Sequence, residues 1–206
     1  IDRESQDRIA AMSHDRAARA TKDGILAEEI VPVEVPQRRG DPMVIDADEG
    51  IRASTDMDSL GALRPAFAKS GNITAGNASQ ISDGASAMVI TTSEVAERLG
   101  VKPLAELVGY GQVAGPDTSL LTQPSRAIMQ AADKASLTVS DIDLFEINEA
   151  FAAVSVASMG ELGISDEIVN VNGGAVALGH PIGASGNRLA LTLAYELARR
   201  GGGIGA

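Results

Sequence analysis

Two polar segments in the second half of the chain contain side chains that could take part in acid–base catalysis. In the segment DLFEINEAFAAV, Asn148 comes directly after an apolar run, and its amide could donate a hydrogen bond to an atom that becomes negatively charged. In the segment NVNGGAVALGHPIGASG, His180 precedes Pro181, which restricts His180 to an extended backbone before a predicted helix. An imidazole held in this way can act as an acid, a base or a hydrogen-bond donor near neutral pH.

Each segment also has a plainer interpretation. Asn148 could cap the helix that follows it, since asparagine is common at that position. The second segment has five glycines within fourteen residues, and a glycine-rich loop before a helix could bind a phosphate. The GxGxxG pattern of dinucleotide-binding folds is absent from the required strand, turn and helix register, however. The other histidine, His14, is expected to be a solvated surface residue because it lies among Arg and Asp.

Composition excludes several classes of function. A net charge of -11 argues against binding to a nucleic-acid backbone, which needs clustered Lys and Arg. No run approaches the roughly 20 apolar residues of a membrane span, and the charged start is unlike a signal peptide, so we expect a cytoplasmic protein that binds no membrane. The chain has no cysteine and only two histidines, which excludes disulfides and argues against a metal site.

The first part of the chain combines one long helix with loops. Asp2 is expected to cap a helix that runs to about Lys22, and Gly24 can end it. The segment EIVPVEVP alternates apolar and polar residues but contains two prolines, which predicts an edge strand. The stretch to about residue 82 is then rich in turn residues, with one short helix predicted from Asp58 to Leu63.

After residue 83 the pattern changes to alternating strands and helices. This alternation predicts an α/β fold with a mostly parallel sheet covered by helices. The predicted strands are ASAMVITT, LAELVGYGQVAG, DLFEI and IVNVN. The predicted helices run from Ser93, as the cap, to near Gly100, from Pro124 to Ala135, from Glu149 to Leu162 and from Ser185 to Arg199, with a loop over residues 173–183.

The segments NEAFA and NVNGGAVALGHPIGASG resemble the paired signature of thiolases, and the resemblance extends over all 206 residues, through TAGNASQISDGA. It implies the αβαβα layered thiolase fold. Residues 1–82 would belong to the loop domain that covers coenzyme A, residues 83–103 would be the last strand and helix of the N-terminal half, and residues 104–206 a truncated C-terminal half-domain. The chain is accordingly interpreted as a piece of a longer protein.

The resemblance also implies a reaction. Thiolases transfer an acyl group between a 3-ketoacyl-CoA and CoA, or condense two acyl-CoA molecules, with CoA as substrate and with no prosthetic group or metal. One cysteine becomes acylated and a second moves a proton, and this chain contains neither. By motif match His180 would activate the nucleophilic cysteine, and Asn148 would hold a water that binds the thioester oxygen together with His180. The implied assembly is a homodimer or homotetramer.

Seven further residues match positions that surround CoA in the family. Arg52 would face its adenine nucleotide end, and Ser59 and Phe67 would line the same channel. Ala75 and Ser79 would meet the pantetheine arm, and Ala150 and Phe151 would border the pantetheine or acyl tunnel. Each also has a local alternative, such as a solvated Arg52 or a core position for Phe67. Gln80 and Ile81 stand where some relatives carry Gly and Leu, so the wall beside pantetheine could differ in shape.

Two other interpretations of the chain stay open. It could be a noncatalytic acyl-CoA or lipid-binding protein with a thiolase-like fold, or a fragment that folds poorly and exposes its buried faces. A binding protein would have little need for both Asn148 and His180. Their joint presence therefore favours an acyltransferase, although the 206-residue chain alone, without cysteine, is predicted to be inactive.

Overall fold

The computed structural model describes all 206 residues of the chain. Helices make up most of its regular structure, and no helix combines the length and the apolar composition needed to cross a membrane. The α-helices are α1 (Arg3–Lys22), α2 (Met57–Gly61), α3 (Ser93–Leu99), α4 (Gln123–Lys134), α5 (Ala152–Leu162), α6 (Ala175–Leu178) and α7 (Ile182–Arg199). Three 3-10 turns span Leu26–Glu28, Val139–Asp141 and Asp166–Ile168.

Helix α1 forms as its sequence predicts. The Asp2 carboxylate accepts a hydrogen bond from the backbone N–H of Ser5 at 2.7 Å, which caps the first turn. The basic residues Arg19 and Lys22 lie in the last turn, where they complement the negative end of the helix dipole. One face of α1 is buried against α2, α5 and α6, so this helix forms part of the core.

The prediction that His14 is a solvated surface residue is wrong, because its exposed fraction is only 3%. His14 lies on the same helical face as Ala10 and Ala17, which are both fully buried. The Arg and Asp residues beside it in the sequence point elsewhere, since adjacent residues of a helix are about 100° apart. Position on the helical face therefore outweighs the polarity of the sequence neighbours.

Three short segments meet in parallel at the centre of the second half. Residues 143–147 lie in the middle, with isolated parallel bridges from Leu144 to Gly205 on one side and from Phe145 to Val169 on the other. Leu144, Phe145 and Ile147 are each 1% exposed and belong to the hydrophobic core. The strands predicted for DLFEI and IVNVN do not form β-ladders, because only these isolated parallel bridges join them to neighbouring segments. The mostly parallel sheet predicted from the sequence is therefore not formed within this chain, whose one sheet is a two-stranded antiparallel pair.

The strands predicted for ASAMVITT and LAELVGYGQVAG are wrong for this chain, because neither segment forms a β-ladder. Their apolar side chains are largely exposed, with exposed fractions of 93% for Val89 and 78% for Leu107. An apolar run is buried as a strand only when neighbouring strands cover it, and no strand of this chain lies beside these two.

The edge strand predicted in EIVPVEVP is confirmed as β1 (Val33–Val35). It pairs in antiparallel fashion with β2 (Met43–Ile45), which was not predicted. The short helix expected from Asp58 to Leu63 is present as α2, with Asp56 as its cap. Helix α3 ends at a left-handed Gly100 as predicted, but its cap is Thr92 instead of Ser93.

Two helices near the candidate site differ from prediction at their starts. Helix α5 begins at Ala152, three residues later than expected, because residues 148–151 are held in an extended conformation by residues 77–79. Helix α7 begins at Ile182 instead of Ser185, and the short helix α6 lies inside the predicted loop. These shifts place Asn148 and His180 on two non-helical segments that precede α5 and α7.

Candidate active site

The segment that carries Asn148 is fixed from two sides. Immediately before it, Ile147 exchanges two hydrogen bonds of 2.8 Å with the side chain of Asn170: the Ile147 N–H donates to Oδ1, and Nδ2 donates to the Ile147 carbonyl. Asn148 does not cap the next helix, because Phe151 occupies the cap position and no side chain bonds there. The capping interpretation of Asn148 is therefore wrong, and its amide is free for another role.

On the other side, the TAGNAS segment packs along residues 150–152. The Ser79 N–H and Oγ both donate to the Ala150 carbonyl, at 3.1 and 3.0 Å, and the Ala152 N–H donates to the Asn77 carbonyl at 2.9 Å. Asn77 is fully buried, and its Nδ2 donates to an Asp7 carboxylate oxygen at 2.8 Å. Helix α1 thus anchors the TAGNAS segment, which in turn holds the Asn148 segment extended.

The His180 segment turns sharply out of α6. Gly179 has φ of +98° and lies so close to Ser82 that an added Cβ would be 2.0 Å from the Ser82 hydroxyl, so only glycine fits. The His180 N–H then donates to the Gln80 carbonyl at 3.1 Å. Beyond the turn, His180 Nδ1 lies 2.7 Å from the hydroxyl of Ser185 in the first turn of α7.

The two segments bring Asn148 and His180 into contact. Asn148 Nδ2 lies 3.3 Å from His180 Nε2 and 3.4 Å from Nδ1. Asn148 Oδ1 is buried and has no hydrogen-bond partner in the structure. A buried carbonyl oxygen without a donor is rare in folded proteins. The pair therefore presents an unsatisfied acceptor and an imidazole at one place, which can bind a water or a polar ligand atom.

A buried carboxylate joins the two segments to α1. Glu149 is 2% exposed and accepts hydrogen bonds from Ser13 Oγ at 2.7 Å, Asn170 Nδ2 at 2.9 Å and the Val176 N–H at 3.0 Å. A Cβ at Gly174 would lie within 2.5 Å of this carboxylate, which explains a glycine there. Sequence reasoning missed Glu149; its position beside Asn148 was the one available signal.

Four of the residues predicted to line the CoA channel lie together. Ser79 bonds to Ala150, and the rings of Phe67 and Phe151 pack edge to face with their centroids 6.2 Å apart. Phe67 is nevertheless 75% exposed, so a large aromatic face is open to solvent beside the Asn148 segment. These four residues form one surface, which we call the Phe67 surface.

The remaining predicted CoA contacts are further apart. Ala75 is exposed in the turn before Asn77. The Ser59 hydroxyl accepts from the Asp56 N–H at 3.0 Å and donates to the Asp56 carbonyl at 2.9 Å, as part of the α2 cap. Ser59 therefore has the local capping role that its sequence context allowed.

The Arg52 segment is tied to the same framework. The Arg52 N–H donates to His14 Nδ1 at 3.1 Å, and Gln80 Nε2 donates to the carbonyls of Gly50 and Ala177, both at 3.0 Å. Burial, and then the nearby Arg52 charge, lower the pKa of His14, which favours the neutral acceptor form. The Arg52 side chain is exposed and has no ion-pair partner in the chain, so its charge is available to an anion.

Two residues before Asn148, Glu146 lies in an unusual electrostatic environment. Burial raises the pKa of Glu146 to about 8, even though Arg188 Nη1 lies 3.2 Å from its carboxylate and opposes the shift. Elsewhere, no three His, Asp or Glu side chains come together in a way that could hold a metal ion.

Comparison with known proteins places this arrangement in a family. Residues 101–206 match the family model described as the thiolase C-terminal domain, and residues 1–94 match the model of the thiolase N-terminal domain. The chain belongs to the thiolase family. The two models divide it between residues 94 and 101, while the domain boundaries predicted at residues 82 and 103 stay predictions.

Thiolase-family relatives are similar over nearly the whole chain. A protein of Mycobacterium tuberculosis named a probable acetyl-CoA acetyltransferase is 55% identical over 203 residues, which are 98% of this chain and 52% of that protein. A probable acetyl-CoA acyltransferase of Staphylococcus epidermidis is 49% identical over 198 residues, 96% of this chain and 50% of the relative. The chain therefore spans about half the length of the curated relatives it matches.

Solved structures give the same result for the fold. The crystal structure of the Bacillus anthracis acetyl-CoA acetyltransferase superimposes on all of this chain with a TM-score of 0.95 and 44% identity, and the chain covers 52% of it. Human mitochondrial 3-ketoacyl-CoA thiolase gives a TM-score of 0.88 and 40% identity over 98% of this chain and 50% of its own. The α/β thiolase fold predicted from the sequence is confirmed.

Proposed function

We propose that the chain is part of a longer acyltransferase of the thiolase type, in which Asn148 and His180 bind and activate the reacting atoms. The observation that carries the proposal is their convergence: an imidazole and a partly buried amide from two separate segments lie 3.3 Å apart, next to an unsatisfied Asn148 oxygen. A noncatalytic acyl-CoA-binding protein would have little need for this pair. The relatives named as acetyl-CoA acetyltransferases and acyltransferases agree with the proposal.

The proposed reaction requires two thiols that this chain does not contain. In thiolysis, a cysteine thiolate attacks the ketone carbon of a 3-ketoacyl-CoA, and the bond between C2 and C3 breaks. Its electron pair passes to C2 of the departing acetyl-CoA, which takes a proton from a second thiol. The acyl group then moves from the enzyme sulfur to the thiol of CoA. Condensation of two acyl-CoA molecules is the reverse sequence.

His180 and Asn148 would serve this sequence in two ways. The imidazole takes the proton of the nucleophilic thiol and so generates the thiolate, which is the reactive form. Negative charge then develops on the thioester oxygen as the C2 carbanion forms, and the imidazole N–H and a water held by Asn148 donate to it. Each fixed donor of this kind contributes about 3 kcal/mol to transition-state stabilisation.

Binding of the CoA substrate is assigned to the surfaces around this pair. Arg52 supplies an unpaired positive charge for the phosphates at the nucleotide end. Ala75 lies in a turn and Ser59 in helix α2 of the same loop-rich region. The Phe67 surface offers apolar side chains for the pantetheine arm. We further propose a homodimer or homotetramer, which light scattering on the purified full-length protein would test; the cytoplasmic location stays a prediction.

Replacement of His180 tests the proposal in the full-length protein that contains this chain. His180→Ala should reduce the burst of acyl-enzyme formation from acetoacetyl-CoA by at least about a hundredfold, the usual contribution of an acid–base residue. Lys22→Ala, at the exposed end of α1, is the matched control and should leave the burst unchanged. An unchanged burst in His180→Ala would refute the assigned role, and turnover by the cysteine-free 206-residue chain alone would refute the thiol mechanism.

A further inference from the structure

Ser185 contacts the Nδ1 side of the His180 ring. It is 5% exposed, and its Oγ lies 2.7 Å from His180 Nδ1 and 3.0 Å from the Pro181 carbonyl oxygen. The hydroxyl has one hydrogen to donate and can accept at its oxygen. It can therefore form a directed chain, in which Nδ1–H donates to Oγ and the hydroxyl donates to the carbonyl four residues earlier.

We propose that Ser185 is a positioning residue that holds neutral His180 in the tautomer with its proton on Nδ1, which leaves the Nε2 lone pair free as the base. The role assigned to that lone pair rests on the proposed function, whereas the tautomer itself does not. Serine hydroxyls in helices commonly bond to the carbonyl four residues before them, even when that carbonyl also accepts backbone N–H groups. The Pro181 carbonyl does so, from Ala184 and Ser185.

Asn148 does not distinguish the two ring nitrogens. Its Nδ2 lies 3.3 Å from Nε2 and 3.4 Å from Nδ1, and an amide nitrogen can only donate. The assignment therefore rests on Ser185. Its hydroxyl has the Pro181 carbonyl as an acceptor, which leaves the hydroxyl oxygen to accept from Nδ1–H.

The tautomer matters because the same nitrogen, Nε2, must first accept a proton and then donate a hydrogen bond. Nε2 first accepts the proton of the thiol, and the resulting Nε2–H can then donate to the thioester oxygen. The chain from Nδ1 through Ser185 to Pro181 is unchanged in both states, so His180 need not rotate between the two steps. Hydrogen bonds aligned head to tail in this way also strengthen one another.

Nuclear magnetic resonance of the full-length protein that contains this chain tests the tautomer without any turnover. The imidazole ¹⁵N signals of His180 are those that disappear in His180→Gln. In its neutral form, His180 should carry its proton on Nδ1. A predominant Nε2–H form in the unmodified protein would overturn the proposal, and His180→Gln serves only to assign the signals.

Variants then separate the effect of the hydroxyl from a general effect on the fold. Ser185→Ala should shift the tautomer ratio about fivefold toward Nε2–H, the factor that corresponds to one neutral hydrogen bond of about 1 kcal/mol. Ser185→Thr keeps a hydroxyl and should restore the original ratio. The control is Ser155→Ala, which removes a buried hydroxyl that has no partner, and it should change nothing. A ratio that Ser185→Ala leaves unchanged would also overturn the proposal.

This experiment is independent of the proposed function. If the full-length protein proves to have no thiolase activity, the tautomer of His180 and its response to Ser185→Ala still decide the structural inference. Conversely, if the full-length protein is active but His180 is in the Nε2–H tautomer, only the role assigned to Ser185 is refuted. The two proposals can therefore fail separately.

Discussion

Replacing Glu149 by Gln tests how the candidate site is held together. The change keeps the size of the side chain but exchanges one oxygen, which accepts hydrogen bonds, for an NH₂ group, which donates them. In the chain, Glu149 Oε2 accepts from Ser13 and from the Val176 N–H, while Oε1 accepts from Asn170. Every partner of the carboxylate is thus a donor, and an NH₂ group at either position faces at least one of them.

The size of the effect follows from these partners. Asn170 cannot turn to offer its oxygen, because both ends of its amide already hold Ile147. At least one hydrogen bond to a charged group is therefore lost, worth about 1.5 to 3 kcal/mol, and the others weaken. Part of this loss in stability is offset, because the neutral side chain no longer incurs the desolvation cost of a buried charge. We expect Glu149→Gln to lower the free energy of unfolding by about 2 kcal/mol, and Glu149→Ala, which strands all three donors, by about 4 kcal/mol.

Urea denaturation of the 206-residue chain and its variants measures both values, provided that the slope m is unchanged. Glu97→Gln, at an exposed position of α3 without a hydrogen-bond partner, is the matched control and should have little effect. If both Glu149 variants changed the unfolding free energy by less than about 0.5 kcal/mol, the three hydrogen bonds would not hold the site. A more stable Glu149→Gln chain would mean that desolvation of the buried charge outweighs its hydrogen bonds.

Two further predictions concern charge. Burial raises the pKa of Glu146 from 4.5 to about 8, so its contribution to the unfolding free energy is full below about pH 4.5 and is lost as the pH rises through 8. Glu146→Gln should therefore flatten the dependence of the unfolding free energy on pH over this range. The exposed control Glu34→Gln should leave that dependence unchanged. In the full-length protein, Arg52→Ala should weaken CoA binding by about fivefold, because one exposed charge pair between Arg52 and a phosphate is lost. His14→Ala should weaken binding by a similar factor, because it removes the hydrogen bond that holds the Arg52 backbone. Calorimetry of CoA binding checks both, and an unchanged affinity in Arg52→Ala would contradict the assigned nucleotide contact.

The elements that sequence predicted well are those whose signals are local. The Asp2 cap and the basic last turn define α1, and Gly100 ends α3, because capping depends on residues within one turn. The contact between Asn148 and His180 was expected only through the thiolase resemblance, since the two residues lie 32 positions apart. Local signals therefore account for helices, and the family motif accounts for the pair.

What the sequence did not predict depends on distant partners. Glu149 bonds to Ser13 across 136 positions, and no pattern in either segment announces that contact. The strand predictions around Val89 and Leu107 failed for the same reason, because an apolar run becomes a buried strand only beside other strands. Ser185 lies five residues from His180, but its side chain reaches Nδ1 only because α7 begins at Ile182, three residues earlier than the sequence predicts.

Helix α1 explains how these separate contacts act together. Three side chains on its buried face each reach a different segment: Asp7 holds Asn77, Ser13 holds Glu149, and His14 holds the Arg52 backbone. The first two contacts support the Asn148 and His180 segments, and the third supports the region assigned to CoA. Because a helix is stiff over this length, the three contacts fix these segments relative to one another. These polar residues of the core thus connect the proposed substrate surface to the reactive pair. Apolar packing is non-directional, so on its own it would fix the relative positions of these segments less well.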